Sequence, residues 1–379
     1  APGPGVLRSQ PEGVAAVPAT CAGVERCAHV YVSHASSQAR MTRVVLDART
    51  LDVLGVQPVG GADFAHRFTS LSSLGAPLLP RSTTAVTYSE HDQLGARAPL
   101  LLTAENIGAC EDAGHVLAFD TSAALDTNPN ATAAFTLYAN KPHGDGTASW
   151  AAVAVAPLAN STITVAAAVE DCENQAVRFW RGAKQRDSGD ALRDAGFGTA
   201  PAADAGELLY MHYGLLPSPD DDGPPDVTDA DIDDIRFTGG STRFHLTADH
   251  RRRVRFDRFA DVAWNPSRPN ELYMVEYQHD VVWRVAFTDM NYLERGGVVE
   301  SYAFGGGLGD LDNVAINDFN QMMLQSGDGR WRLVDLARAR PAGESAHAPV
   351  IATLAADPSG AAAADNVLGT GWWLRGGRG

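Results

Sequence analysis

Nowhere in this chain do about 18 or more apolar residues run together, so no helical membrane span is expected. Basic residues are the minority charge, 30 Lys and Arg against 46 Asp and Glu, for a formal net charge of -16. Affinity for a phosphate backbone comes mainly from clustered Lys and Arg, so nucleic acid is not an expected partner. The acidity favours solubility and attraction for cations instead. The opening residues, APGPGVLRSQPEG, contain no basic-then-apolar leader, which suits either a cytosolic chain or a mature one whose leader has been removed. Catalytic motifs are missing as well: there is no Gly-x-Ser-x-Gly, no His-Glu-x-x-His and no Gly-rich loop opening a helix. Gly-Gly-Gly-Leu-Gly at 305–309 runs from one strand towards another at Val314, so it reads as a connection and not as a nucleotide cradle. No segment shows helical periodicity with caps.

Cysteine is scarce but even in number: Cys21, Cys27, Cys110 and Cys172. Two Asn-x-Thr acceptors accompany them, at Asn130 and Asn160. Together they point to an oxidising route and a secreted or cell-surface glycoprotein. Cys-x₅-Cys without a matching His or second pair does not suit metal.

What the chain does have is a phrase that recurs without being copied. ADVAWNPSRPNELYMVEYQHDVVWRVAF (260–287) returns as LDNVAINDFNQMMLQSGDGRWRLVDL (311–336), and more distantly as AAVAVAPLANSTITVAAAVEDCENQAVRFW (151–180). Each copy reads as strand, turn, strand, tight turn, strand. In Val281-Val282-Trp283-Arg284-Val285 and Arg330-Trp331-Arg332-Leu333-Val334 charged and apolar residues interleave at period two. Turn chemistry agrees, with Gly-Asp-Gly at 327–329 and Thr-Gly-Gly-Ser at 238–241 between strand signals. The expected fold is all-β: a single β-propeller over 1–379, of six four-stranded blades near 13–59, 83–140, 150–185, 200–248, 260–305 and 312–356, with 357–379 as a closing segment. Asp365-Asn366-Val367-Leu368 echoes Asp312-Asn313-Val314-Ala315, which leaves a seventh blade, or a fragment of a longer protein, open.

The inner strand DVAW-NP, the second strand NELYMVE and the following VVWRV resemble the six-bladed propellers of the NHL-repeat and TolB-like superfamily. That resemblance implies fold more than function, because such propellers include hydrolases, lyases, receptor domains and scaffolds. In a four-stranded blade the turns joining strands two and three share one face, the top, with the connections to the next blade. Asn130 and Asn160 then fall on the bottom, leaving the top to a partner. Cys110 and Cys172 fall in two-to-three loops of adjacent blades and Cys21 and Cys27 bracket the first hairpin, so the expected pairs are Cys21–Cys27 and Cys110–Cys172.

The top carries the candidate chemistry. Glu105, Glu170 and Glu276 end the second strands of three blades, with His34 in the same place in the first. A rim of carboxylates suits a divalent cation; the plainer expectation is that each accepts N–H groups of its own turn. Gluconolactonase-like propellers hold a catalytic metal with Asn and Asp at the start of the inner strands plus a Glu. The matching positions here are Gly13, Ala85, Ala152, Asp261 and Asn313, of which two can ligate, with Asp312 beside them. Eight aspartates between Pro219 and Asp234, among them Asp220, Asp222 and Asp226, repel one another in a way Ca²⁺ would relieve. Alternatively that loop is simply solvated, or pairs with Arg251, Arg252, Arg253, Arg255 and Arg258. His34, His115 and His279 flank turns, where a surface role is the default.

With most catalytic constellations missing, the leading expectation is a binding or assembly module presenting its top face to a protein or glycan partner in a larger extracellular structure. The alternative is a metal-dependent hydrolase or lyase of the gluconolactonase-like kind, using Asp261, Asn313 and a rim Glu to hold Ca²⁺ or Zn²⁺.

Overall fold

A computed structural model describes residues 11–21, 23–34, 42–58, 83–89, 100–105, 116–120, 134–137, 150–158, 161–173, 175–185, 194–197, 206–214, 230–249, 253–304, 311–326, 331–337 and 350–354. They form a β-propeller. One antiparallel array comprises β1 (Pro11–Cys21), β2 (Val24–His34), β3 (Thr42–Asp47) and β4 (Val53–Pro58), and the next β5 (Thr83–Ser89), β6 (Leu100–Glu105), β7 (Val116–Asp120) and β8 (Ala134–Leu137). A third holds β9 (Trp150–Val155), β10 (Ile163–Glu170), β11 (Arg178–Ala183) and β12 (Glu207–Tyr213). β13 (Ser241–Thr247) stands between this array and the fourth, made of β14 (Phe259–Trp264), β15 (Glu271–Glu276), β16 (Val281–Phe287) and β17 (Gly297–Phe304). A fifth comprises β18 (Leu311–Ile316), β19 (Gln321–Ser326), β20 (Trp331–Asp335) and β21 (Val350–Leu354). The first strands pack side by side in chain order, β1 on β5, β5 on β9, β9 on β14 and β14 on β18, which makes them the inner ring. No helix among the described residues is long and apolar enough to cross a membrane.

Strands in such a ring are buried on both faces, and alternation sends successive side chains to different cores. In β15, Leu272 and Met274 join the core between the third and fourth blades, while Tyr273 and Val275 join the one between the fourth and fifth. β16 does the same with Val281, Trp283, Val285 and Phe287 on one side and Val282 on the other. In β10, Val165, Ala167 and Val169 face the fourth blade, and Ala166 and Ala168 face the second. Phe287 is the hub of the largest core, with its ring 5.4 Å from Phe179, 5.5 Å from Phe244 and 5.7 Å from Trp264.

Two expectations are corrected. The described residues within 200–248 do not build a separate blade: β12 pairs with β11 as the outer strand of the third array, and β13 pairs with β12 on one side and β17 on the other. The outer edges of two blades are thereby fused into a nine-stranded sheet, which covers edges that would otherwise stand open. Among the described residues there are five four-stranded arrays. The second correction is α1 (Ala230–Thr238), a helix where none was expected. Its last turn carries Arg236, a charge that suits the C-terminal end of a helix dipole. Gly239, at φ 68°, ends it, so Thr-Gly-Gly-Ser is a helix stop and not a hairpin turn.

The facial assignment holds for the described turns. On the top, Asp171, after β10, accepts from Arg258 Nε (3.2 Å) and from the Tyr277 hydroxyl (2.9 Å). On the bottom, Asn265 Nδ2 donates to Asn320 Oδ1 (2.6 Å), and the Ser267 hydroxyl donates to the Asp318 carbonyl (2.6 Å).

Candidate active site at the channel mouth

Every inner strand carries an irregularity at the same place. Pairing skips from Pro11 to Gly13, Thr83 to Val86, Trp150 to Ala152, Phe259 to Asp261 and Leu311 to Asn313, each time opposite the last two residues or so of the neighbouring second strand. A bulge bends a strand and re-aims its side chains. Five in one phase turn the top of each inner strand, and they align Gly13, Ala152, Asp261 and Asn313 by register.

Asp261 is the chemically distinctive member. It is buried, with its Oδ1 accepting the Val262 N–H (2.8 Å) and its Oδ2 reaching the next blade to accept the Val314 N–H (3.0 Å). Burial pushes its carboxyl up to about 7; the two N–H donors oppose that shift, and the Asp312 charge adds to it. Asn313 Nδ2 donates to Asp312 Oδ2 (3.1 Å) and towards Gln325 Oε1 (3.5 Å), so both contacts hold its NH₂ end and leave the carbonyl oxygen for a ligand. Asp261, Asp312 and Asn313 therefore place hard oxygen donors on two adjacent inner strands. Gln325 extends the set expected from sequence; it pairs with Asn313 in register, a relation visible only once the strands are aligned.

The rim glutamates answer to arginines. Glu170, fully buried at the end of β10, pairs with Arg178 (2.6 Å), whose guanidinium lies over the Trp150 ring (4.8 Å). Glu276, fully buried at the end of β15, receives Arg236 Nη2 (2.8 Å) and Nε (3.1 Å), the Trp283 indole N–H (2.8 Å) and the Asp257 N–H (2.9 Å). Of the Arg cluster, Arg258 pairs with Asp171. The side chains of Glu105 and His34, and residues Asp220, Asp222, Asp226, Asn130, Asn160 and Cys110, lie outside the described residues.

No family model matches this chain, and no curated protein matches it. Solved structures do. A protein from Bacteroides uniformis assigned as a 6-phosphogluconolactonase is 13% identical, with 87% of this chain and 82% of that one covered at a TM-score of 0.38. A second so assigned, from Bacteroides fragilis, is 11% identical, with 92% and 85% covered at 0.41. Pseudomonas fluorescens PhoX, in complex with vanadate as a transition-state analogue, is 9% identical, with 87% and 78% covered at 0.48. The expectation of a non-enzymatic binding or assembly module is corrected to the enzyme alternative, which is argued from the chain's own residues at the channel mouth.

Cys21 and Cys27 are joined as expected. Cys172 is also disulfide-bonded; its expected partner lies outside the described residues. Three residues that no sequence signal had connected also meet here: Asp257, Glu276 and His279 bring their ligand atoms within 4.8 Å of one another. Arg236 already supplies a cation to both carboxylates, so this group does not need a metal to balance its charge.

Proposed function

We propose that the chain is a hydrolase of the propeller type, acting on small esters or lactones at the channel mouth with a divalent cation, Ca²⁺ or Zn²⁺. The observation that carries the reading is the placement of Asp261, Asp312 and Asn313 on adjacent inner strands. A buried carboxylate that stays protonated to about pH 7 on its own, beside a second acidic group, is a donor set that a cation would stabilise in its ionised form. Asp261, Asp312 and the Asn313 carbonyl oxygen would hold the ion, and water or substrate oxygens would complete its shell, since Gly13, Ala85 and Ala152 offer no side-chain ligand. When bound, the ion supplies a Lewis acid for a substrate carbonyl oxygen. The chain's own part is to orient the donors: the bulge aims Asp261, the Val314 N–H fixes it, and Asp312 and Gln325 hold the Asn313 amide.

A relation to the NHL-repeat and TolB-like superfamily belongs to the same proposal, supported by the recurring DVAW and LDNVAI inner strands. The test is hydrolysis of a panel of lactones and aryl esters by protein treated with chelator and then resupplied with Ca²⁺ or Zn²⁺. Activity should depend on the ion, and Asn313→Ala together with Asp312→Ala should lower kcat/KM by about 100-fold, the scale of losing one strong transition-state contact. Chelator-insensitive activity, or full activity in the double variant, would sink the metal reading.

We also propose a secretory route with glycans on Asn130 and Asn160. The support is that no described cysteine is free. Intact mass of the natural protein should drop on treatment with an N-glycosidase; an unchanged mass rejects the glycans.

A further inference from the structure

We infer that His279 and Asp257 form a proton-transfer dyad on the top face, with His279 acting as the general base that activates water for hydrolysis. The inference rests on the hydrolase reading for its substrate, and on separate geometry for its chemistry.

His279 lies in the turn between β15 and β16 and directs its Nε2 at Asp257 Oδ2, 3.1 Å away. A carboxylate can only accept, so Nε2 carries the proton and Nδ1 is left as the basic nitrogen. Among the described residues no hydrogen bond is made to that Nδ1, and the side chain is 27% exposed, open enough for water or substrate. Asp257 does not swing freely. Its N–H donates to Glu276 Oε1 (2.9 Å), and its Oδ2 also accepts from Arg236 Nη2 (3.3 Å). The exposed ring of Phe237 meets the imidazole edge to face, with centroids 5.8 Å apart, so the imidazole is positioned on a second side. A carboxylate that orients an imidazole and leaves its other nitrogen basic is the base half of a hydrolytic triad, with water as the nucleophile.

The place of the dyad in the chain ties it to the channel mouth. Asp257 sits two residues before β14, the strand that carries Asp261. Asp280, next to His279 and held at φ 54°, accepts the Leu311 N–H on its Oδ1 (2.9 Å), which binds this turn to the strand carrying Asp312 and Asn313. In the step proposed, His279 Nδ1 takes a proton from water as the water oxygen bonds to the carbonyl carbon of the ester or lactone. The proton then passes to the departing alkoxide oxygen as its bond to that carbon breaks. A carboxylic acid and an alcohol leave, and the imidazole is again neutral.

His279→Ala should lower kcat by about 100-fold with KM little changed, and free imidazole in the buffer should restore about tenfold of it, as expected for a replaced base and not for a damaged fold. Asp257→Asn, which removes the positioning group, should lower kcat by about tenfold at unchanged KM. Undiminished hydrolysis by His279→Ala, or a loss in a folded variant that imidazole cannot rescue, overturns the dyad and leaves the channel-mouth reading standing. Absence of any hydrolysis by the wild type refutes that reading instead. The dyad is then decided without turnover, by carbethoxylation of His279 with diethyl pyrocarbonate followed by mass spectrometry. The rate at His279 should fall about threefold or more in Asp257→Asn, because the carboxylate makes the ring more nucleophilic. Equal rates in the two proteins overturn it.

Discussion

Arg236→Ala is expected to destabilise the protein by about 3–5 kcal/mol, the cost of removing one member of a buried ion pair. The size follows from what would be left behind. Glu276 is fully buried and directs both oxygens at the guanidinium, and without it the carboxylate would keep only the Trp283 indole and the Asp257 N–H. Two neutral donors do not replace a cation in a site closed to water. Arg236→Lys should fare little better, since a point charge cannot match the two-pronged contact. Arg236→Met combined with Glu276→Gln should recover most of the loss, because no charge is then stranded. Urea unfolding checks all three; a loss below about 1 kcal/mol for Arg236→Ala would place the pair with exposed ones and remove its structural importance.

Raising the pH from 5 to 8 without divalent cation is expected to weaken the fold, with Asp261 responsible. In the folded chain its carboxyl keeps a proton to about pH 7, whereas in the unfolded chain it would ionise near an ordinary aspartate value of about 4. Between those values the folded state binds more protons than the unfolded one, so stability falls as pH rises through that window and levels off above it. A shift of roughly three units corresponds to about 4 kcal/mol at most. Asp261→Asn should flatten this part of the profile, although its amide can accept only one of the two N–H groups that the carboxylate now accepts, at Val262 and Val314. Ca²⁺ at pH 8 should return much of the stability to the wild type and none to the variant. Unfolding free energies at the two pH values, with and without the ion, decide the matter. A wild-type profile identical to that of Asp261→Asn would rule out Asp261 as the titrating group.

Both expectations depend on contacts that differ in how far they could be read from residue order. Asp261 and Asn313 could be matched because each follows the same local phrase, and the bulges place them in register. Arg236 and Glu276 are 40 residues apart, and Asp257 and His279 are 22 apart. Neither pair has a spacing that marks it, since each forms only when a helix or a connection is laid over the top of a blade. His279 accordingly looked like any turn histidine. The helix α1 was missed for a different reason: nine residues give barely two turns, and its buried side comprises Ile232 and Arg236 with Ile235 partly covered, too few positions for a period to stand out. Glu170 and Glu276 stand at strand ends, where their place in the recurring phrase puts them. Their partners turned out to be arginines at two of the described positions, supplied by β11 and α1.

Period-two alternation, short turns and a recurring phrase were enough by themselves to determine an all-β propeller, because side-chain direction along a strand is a local property that any fold must respect. Which strand lies beside which was decided only in three dimensions. Residues 207–213 carry the alternation of a strand wherever they pair, yet it is β11 that completes its sheet through them and β13 that welds two blades at their outer edges. Pairing is set by the edge that is open when the chain returns, and charge balance at the candidate site by whichever buried groups then meet; neither is written in the spacing of residues along the chain.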